Sequence, residues 1–392
     1  MAVNLTNADS ALKSVYLDAV SQQLNDNVNP FLAAIEKSSN DVWGKEVRKL
    51  AIYGMNGGIG AGTEDGDLPT ATGNNYGQFV TTLKNLYGVI EISDKAIRAS
   101  ENNAGAFVNL LNAEMEGLIK ASTFNFGRML FGDGSGKLSK VINIANGNIF
   151  VDNVSNFIEG MIIDFRTEDG ELINGASFKR VLTVNRKAGI IRLVGENLTT
   201  SVVPAGSIIT VQGSYENELT GLGAIFDLTR PTLYGMERSK NVWMTPYVKE
   251  EAGDITELDI QLALDTIEEA SGSAVNFIVC SWGVRRALQQ LFSANKRVVD
   301  TMELQGGFKA MSYNGIPIVA DRFCPKGTMY LLNTNDFILH QLCDWQWLTG
   351  DDQKVLKQLA GKPVYSATLV KYADLLCSRP QGQGMISGIT EA

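Results

Sequence analysis

A chain of 392 residues with 44% hydrophobic side chains has material for two or three domains, each with its own core. Its formal net charge of −9 excludes a protein that grips nucleic acid over its whole surface, because phosphate contacts need basic faces; local basic patches stay open, for example around Arg285, Arg286, Lys296 and Arg297. Four scattered cysteines with no C-x-x-C pair, and His340 as the single histidine, exclude a His-rich metal site within one chain and leave Ser-His-Asp or Cys-His chemistry resting on one residue.

The N-terminus has no charged segment followed by an apolar core, and nowhere is there an uncharged apolar run of about 18 residues, so neither a signal peptide nor a membrane helix is expected. Residues 1–42 read as an arm. An amphipathic helix over 11–24 is followed by a second helical stretch, FLAAIEK, opened by Asn29-Pro30. A strand follows, with Val42, Trp43, Val47, Leu50 and Ile52 as candidate inward positions. Eight glycines then fall between Gly54 and Gly77, too many for a segment that folds unaided. With a second strand-like run over 78–92, they describe an extended hairpin with a glycine-rich tip that orders on contact with a partner.

Residues 103–131 read as one long helix, with Phe107, Leu111, Met115, Leu118, Phe126 and Met129 near one face. At 1.5 Å per residue it spans about 40 Å. From Leu138 the character turns to short strands separated by turn clusters. Phe178, Leu182, Val184, Ile191 and Leu193 are candidates for a small core there. Helical periodicity returns over 257–270, NFIVC reads as a buried strand, Ser281 caps WGVRRALQQLF, and GIPIVAD, GTMYLLNT and VYSATLVKYADLLC are strands.

Several motifs suggest chemistry and fail on spacing. FGDGSGKLS has a lysine after a glycine run, but its glycines are one position too close for a phosphate loop. Leu138 also stands where a hydroxyl is required, and the segment closes a helix instead of opening one. Glu64, Asp65 and Asp67 lack the alternating ligand spacing of a calcium loop. Asp351-Asp352 reads as a turn, His340 as a packed histidine, and Trp345 with Trp347 as one face of a strand in a core or interface. No catalytic, cofactor or metal residues are assigned.

The order of these elements carries a resemblance. An arm, a glycine-tipped hairpin and a long helix ending in GDGSG are followed by GLGAIFD, by NFIVCSWGVRRALQQL and by NGIPIVADRFCPKGTMYLLNTNDF. This resembles the major capsid proteins of tailed double-stranded DNA phages, with the Hong Kong phage-type shell fold. The resemblance implies an α+β fold with an N-arm (1–42), an E-loop (43–92), a spine helix and the start of a P-domain (93–138), and the rest of the P-domain with an axial A-domain (219–392). Relatives run from the glycine turn directly into the "GL" stretch, so residues 139–218 are expected to be an inserted all-β barrel or sandwich. The implied function is a structural subunit, not an enzyme. It self-assembles into an icosahedral shell of hexamers and pentamers around packaged DNA, in a virion put together in the host cytoplasm.

An encapsulin-like compartment is the alternative within the same fold. An enzyme using the GDGSGK turn on phosphate and a carbohydrate-binding surface protein are alternatives from other classes. Intersubunit contact falls to the E-loop, through Gly57, Gly62, Glu64, Asp67, Tyr76 and Lys84. Further partners are a separate scaffolding protein and a portal, with decoration proteins left open, DNA touched loosely and no membrane. Because the arm begins almost at once, no cleaved leader is expected. Because Lys84 lies on the strand and not at the tip, no covalent crosslink is expected either.

Overall fold

The computed structural model describes residues 29–95, 104–195, 198–294, 301–303, 309–349 and 355–392. The helix expected over 11–24, the side chains of Phe107 and Leu111, Lys296, Arg297 and the Asp351-Asp352 turn lie outside what is described. At its centre stands the helix Ala104–Phe131, whose last turns are buried almost all round, with Met115, Phe126, Met129 and Leu130 each under 5% exposed.

That helix packs against a five-stranded sheet. Strand Val364–Cys377 sits in the middle, antiparallel to Phe337–Trp347 on one side and to Lys84–Ser93 on the other, and the short Lys357–Gln358 also pairs with it. The short strand Glu36–Ser38 adds in parallel at the outer edge of Phe337–Trp347. Sequence periodicity extends the preceding helix through Lys37, but it ends at Ala34. Its cap is Asn29, which accepts the Leu32 N–H at 3.0 Å, and Glu36 to Ser38 turn extended to take backbone partners from Ile338 to His340.

A seven-stranded mixed sheet forms the second core. Its order is Tyr247–Gly253, Gly384–Ile389, Met329–Leu332, Phe277–Cys280, Ile316–Ala320, Lys309–Tyr313 and Thr301–Glu303. Two helices cover it. Glu257–Ser271 begins with a capping box between Thr256 and Asp259 and ends at Gly272 in left-handed geometry. Trp282–Ala294 starts at Ser281, whose Oγ accepts the Val284 N–H at 3.4 Å. Ile260, Ile267, Ile278, Val284, Leu288 and Leu331 fill the space between.

The third core belongs to a closed six-stranded barrel of Lys137–Ala145, Asn148–Val151, Ile162–Arg166, Lys179–Asn185, Ile190–Leu193 and Ile208–Val211. Leu138, Ile149, Phe157, Phe165, Ile191 and Ile209 fill it. Two expected core residues are corrected. Phe178 is 68% exposed and Leu182 53% exposed. Strand side chains alternate, so burying Val181 turns Leu182 outward, and Phe178 precedes the strand with φ of 54°. Ile191 is buried as expected, with Val184 and Leu193 partly so.

The barrel leaves and rejoins the body at one place. Glu216 N–H donates to the Ser135 carbonyl at 2.9 Å, and Gly136, with φ of 77°, lies so close to the Ser214 backbone that no side chain fits there. Gly221 then lies on the last carbonyls of the long helix, where a Cβ would sit 2.6 Å from the oxygens of Leu130 and Gly132. The GDGSG segment is therefore a helix stop and a crossing point. Glu218 belongs to the body's packing: it is 2% exposed and ion-paired with Arg128 of the long helix, itself 4% exposed.

Candidate assembly surfaces

Strands Glu46–Gly54 and Asn75–Thr82 form the hairpin, with Leu50 opposite Gln78 and Ile52 opposite Tyr76. The run 78–92, which reads as one strand, is two. It breaks at Leu83, whose buried side chain and N–H bond to the Lys45 carbonyl, at 3.0 Å, turn the chain from the hairpin into the five-stranded sheet.

The hairpin's two faces differ. One face places Val47, Phe79 and Ala51 against the body, with Phe79 5.6 Å from the Tyr234 ring and 5.7 Å from Trp243. Tyr53 stacks flat on Trp243 at 4.9 Å. Gly77 is needed for this approach, since a Cβ would lie 3.0 Å from the Met236 Cε. The other face presents Leu50 and Ile52, 61% and 62% exposed, beside Tyr76 at 56%. Of the expected inward positions only Val47 is fully buried. Leu50 and Ile52 are exposed because they stand on the opposite side of the strand from Val47, and Phe79 with Trp243 claims the Val47 side; Trp43, on the short strand Val42–Trp43, is exposed as well.

Gly57, Gly62, Glu64 and Asp67 sit in the tip, residues 55–74, which carries no helix or strand. Its internal bonds are few: Asn56 accepts the Gly58 N–H at 2.8 Å and the Thr72 hydroxyl at 3.3 Å. Met55, Ile59 and Leu68 are almost wholly exposed. Tyr76 stands at the start of the returning strand. Lys84 is not gathered with these residues. It lies beyond the break, with Nζ donating to the Glu216 carbonyl at 3.2 Å.

One buried carboxylate ties the hairpin root to the rest. Asp374 accepts from the Thr81 hydroxyl, from the Thr220 N–H at 2.7 Å and from the Thr220 hydroxyl at 3.1 Å. Burial pushes its pKa above the ordinary carboxylate range, against the pull of those donors. Sequence reading missed it because an Asp inside the apolar run VYSATLVKYADLLC gives no sign of what it faces. His340 is fully buried, neither ring nitrogen has a partner among the described residues, and burial lowers its pKa, so it packs as a neutral ring. Trp345 and Trp347 are buried too. Among the described residues no group of His, Cys, Asp and Glu is placed to hold a metal. No described helix is long and apolar enough to cross a membrane.

The geometry is thus one of surfaces. Residues 169–354 match the family described as SU10 major capsid protein. The Cyanophage A-1(L) capsid asymmetric unit superposes with a TM-score of 0.59 at 12% identity, over 93% of this chain and 94% of that one. The chain thus has the shell fold of that capsid protein, and a little under half of it matches a major capsid protein family. Among curated proteins none matches its sequence. The capsid of an empty GTA particle gives a TM-score of 0.48 at 10% identity, over 95% and 90% of the two chains. The holo-SrpI encapsulin complex of Synechococcus elongatus PCC 7942 gives 0.47 at 9%, over 92% and 88%. It is with the first of these structures that the chain shares the shell fold. The family match begins inside the barrel and takes in three of its six strands.

Proposed function

We propose that copies of this capsid protein close into an icosahedral shell of hexamers and pentamers around packaged double-stranded DNA, each laying its hairpin over a neighbour. The observation that carries this is the outer face of the hairpin. Leu50, Ile52 and Tyr76, continued by Met55, Ile59 and Leu68 in the tip, expose large apolar side chains along an arm whose root is clamped to the body. A lone soluble protein gains nothing from such a surface, whereas a repeated subunit buries it against the next copy. A specific contact needs about 1,000 Å² in all.

In this reading the contact residues include Gly57, Gly62, Glu64, Asp67 and Tyr76, the barrel is a separately folding insert, and no reaction is catalysed. Assembly takes place in the host cytoplasm on a separate scaffolding protein with a portal. Electron microscopy of the full chain expressed with its scaffolding protein should show closed shells, and nuclease-resistant DNA should accompany shells filled in infected cells. Subunits that stay monomeric under those conditions would overturn the proposal, and co-purifying enzyme cargo in place of DNA would point to an encapsulin-like compartment.

A further inference from the structure

The barrel's strands Lys179–Asn185 and Ile190–Leu193 carry a surface that the shell reading leaves unused. Residues 172–195 contain five cations, Lys179, Arg180, Arg186, Lys187 and Arg192, and no Asp or Glu. None of the five is ion-paired among the described residues: Arg186 donates to the Phe157 carbonyl at 3.3 Å and Arg192 to the Asn148 side chain at 2.6 Å. Among the described residues Glu159 reaches the strand, accepting the Val184 N–H at 3.3 Å. Arg322, stacked over Phe124 at 4.8 Å, adds a cation on the body, where burial and, after it, the nearby Arg186 lower its pKa.

Among these cations stand exposed apolar side chains. Ile162 pairs across to Arg180, Val194 donates its N–H to the Arg180 carbonyl at 2.9 Å, and Leu182 lies two residues further along the strand. Phe178, 68% exposed, opens the strand in left-handed geometry with its N–H held by Asp164 at 2.8 Å. A bulky residue with φ of 54° is strained, and such strain persists where the surroundings hold it.

One segment of the same chain has the complementary character. The hairpin tip, residues 55–74, contains Glu64, Asp65 and Asp67 and no Lys or Arg. Those carboxylates have no ion-pair partner among the described residues, and Met55, Ile59 and Leu68 beside them are exposed by 95%, 86% and 90%. Acidic and apolar groups on a strandless tip thus match basic and apolar groups on a closed, rigid barrel.

We propose that the receptor for the hairpin tip is the Lys179–Asn185 and Ile190–Leu193 face of the barrel on a second copy, so that the barrel clamps its neighbour's arm. This rests on the shell reading and adds to it the partner surface. It also gives the barrel a task within the wall, because opposite charges steer the tip and fix its register while the apolar side chains exclude water.

The test uses the full chain assembled into shells. Shells carrying Asp65→Cys together with Leu182→Cys should yield, on mild oxidation, a ladder of covalent multimers on a denaturing gel, and each single variant should not. Lys179→Glu with Arg180→Glu and Lys187→Glu should lower the yield of shells about tenfold. Glu64→Lys with Asp65→Lys and Asp67→Lys should do the same, and combining the two sets should restore assembly. All six positions are on the surface, and unchanged melting of the free subunits would confirm that both sets fold. Normal shells from each set alone, with no ladder, would overturn the clamp while leaving the shell reading intact. A barrel set that assembles normally but loses nuclease-resistant nucleic acid would assign the face to nucleic acid instead. A wild-type chain that never forms shells would overturn both.

Discussion

The barrel and the hairpin both leave the body as excursions of the chain, and they handle exposure in opposite ways. The barrel closes: its first and last strands in the ring hydrogen-bond to each other, so no edge is left unpaired, and fourteen buried side chains form its own core. The hairpin does not close. Its two long strands are covered on one face only, and its tip carries three nearly bare hydrophobic side chains among glycines. A segment that satisfies its own backbone and apolar groups can be carried by a body that contributes little to it. A segment that pairs its strands but leaves its tip and outer apolar face bare gains its order from a partner, and its tip is free to be glycine-rich for that reason.

This contrast predicts where stability resides. Phe165→Ala, at a fully buried barrel position, should cost about 4 kcal/mol of barrel stability. If the barrel is a separate unit, amide exchange should rise throughout residues 137–211 while the seven-stranded sheet stays protected. A uniform loss of protection over the whole chain would show that barrel and body share one folding unit.

A smaller effect is expected at Asp374, which is bonded both to the hairpin root and to the chain leaving the barrel. Asp374→Ala strands the buried donors of Thr81 and Thr220 and should cost about 3 kcal/mol. Its pKa is raised on folding, so the protonated form is the one the fold prefers. The stabilising contribution is present below the ordinary carboxylate range and is lost as pH rises through the folded value. Denaturation followed from pH 4 upward should show a decline in the wild type that Asp374→Asn removes. Parallel curves for the two would assign the decline to other groups.

Much of this organisation can be read from the residues alone. The long helix, the hairpin, the β character after Leu138 and the closing glycine turn all follow from periodicity and punctuation, because each depends on local backbone preference. What local pattern does not decide is which face of a two-sided strand is covered. Trp43, Val47, Leu50 and Ile52 are all apolar, and only the distant Trp243 and Tyr234 determine that Val47 goes inward. Leu182 and Val181 pose the same ambiguity one residue apart, and barrel closure settles it. The end of the β segment is equally non-local. Glu218 looks like a surface residue until Arg128, ninety positions earlier, is brought to it.

The hairpin's outer face gives the sharpest test of the contrast, because there the expected change in the subunit's own stability is the smallest. Ile52 is 62% exposed and pairs across to Tyr76 on the uncovered face. Ile52→Ser removes little that the free subunit buries, so its melting should shift by no more than about 0.5 kcal/mol in equivalent stability. In a shell the same side chain would lie within the contact between neighbours, where truncating a buried anchor costs about 2 kcal/mol per interface. Repeated over every subunit of a closed particle, that loss should move the concentration needed for assembly upward by more than tenfold. Measured side by side, melting of free subunits and sedimentation of assembled shells separate the two terms. A variant that melts early but assembles normally would mean that Ile52 supports its own hairpin, and the open excursion would then be more self-sufficient than its bare surface implies.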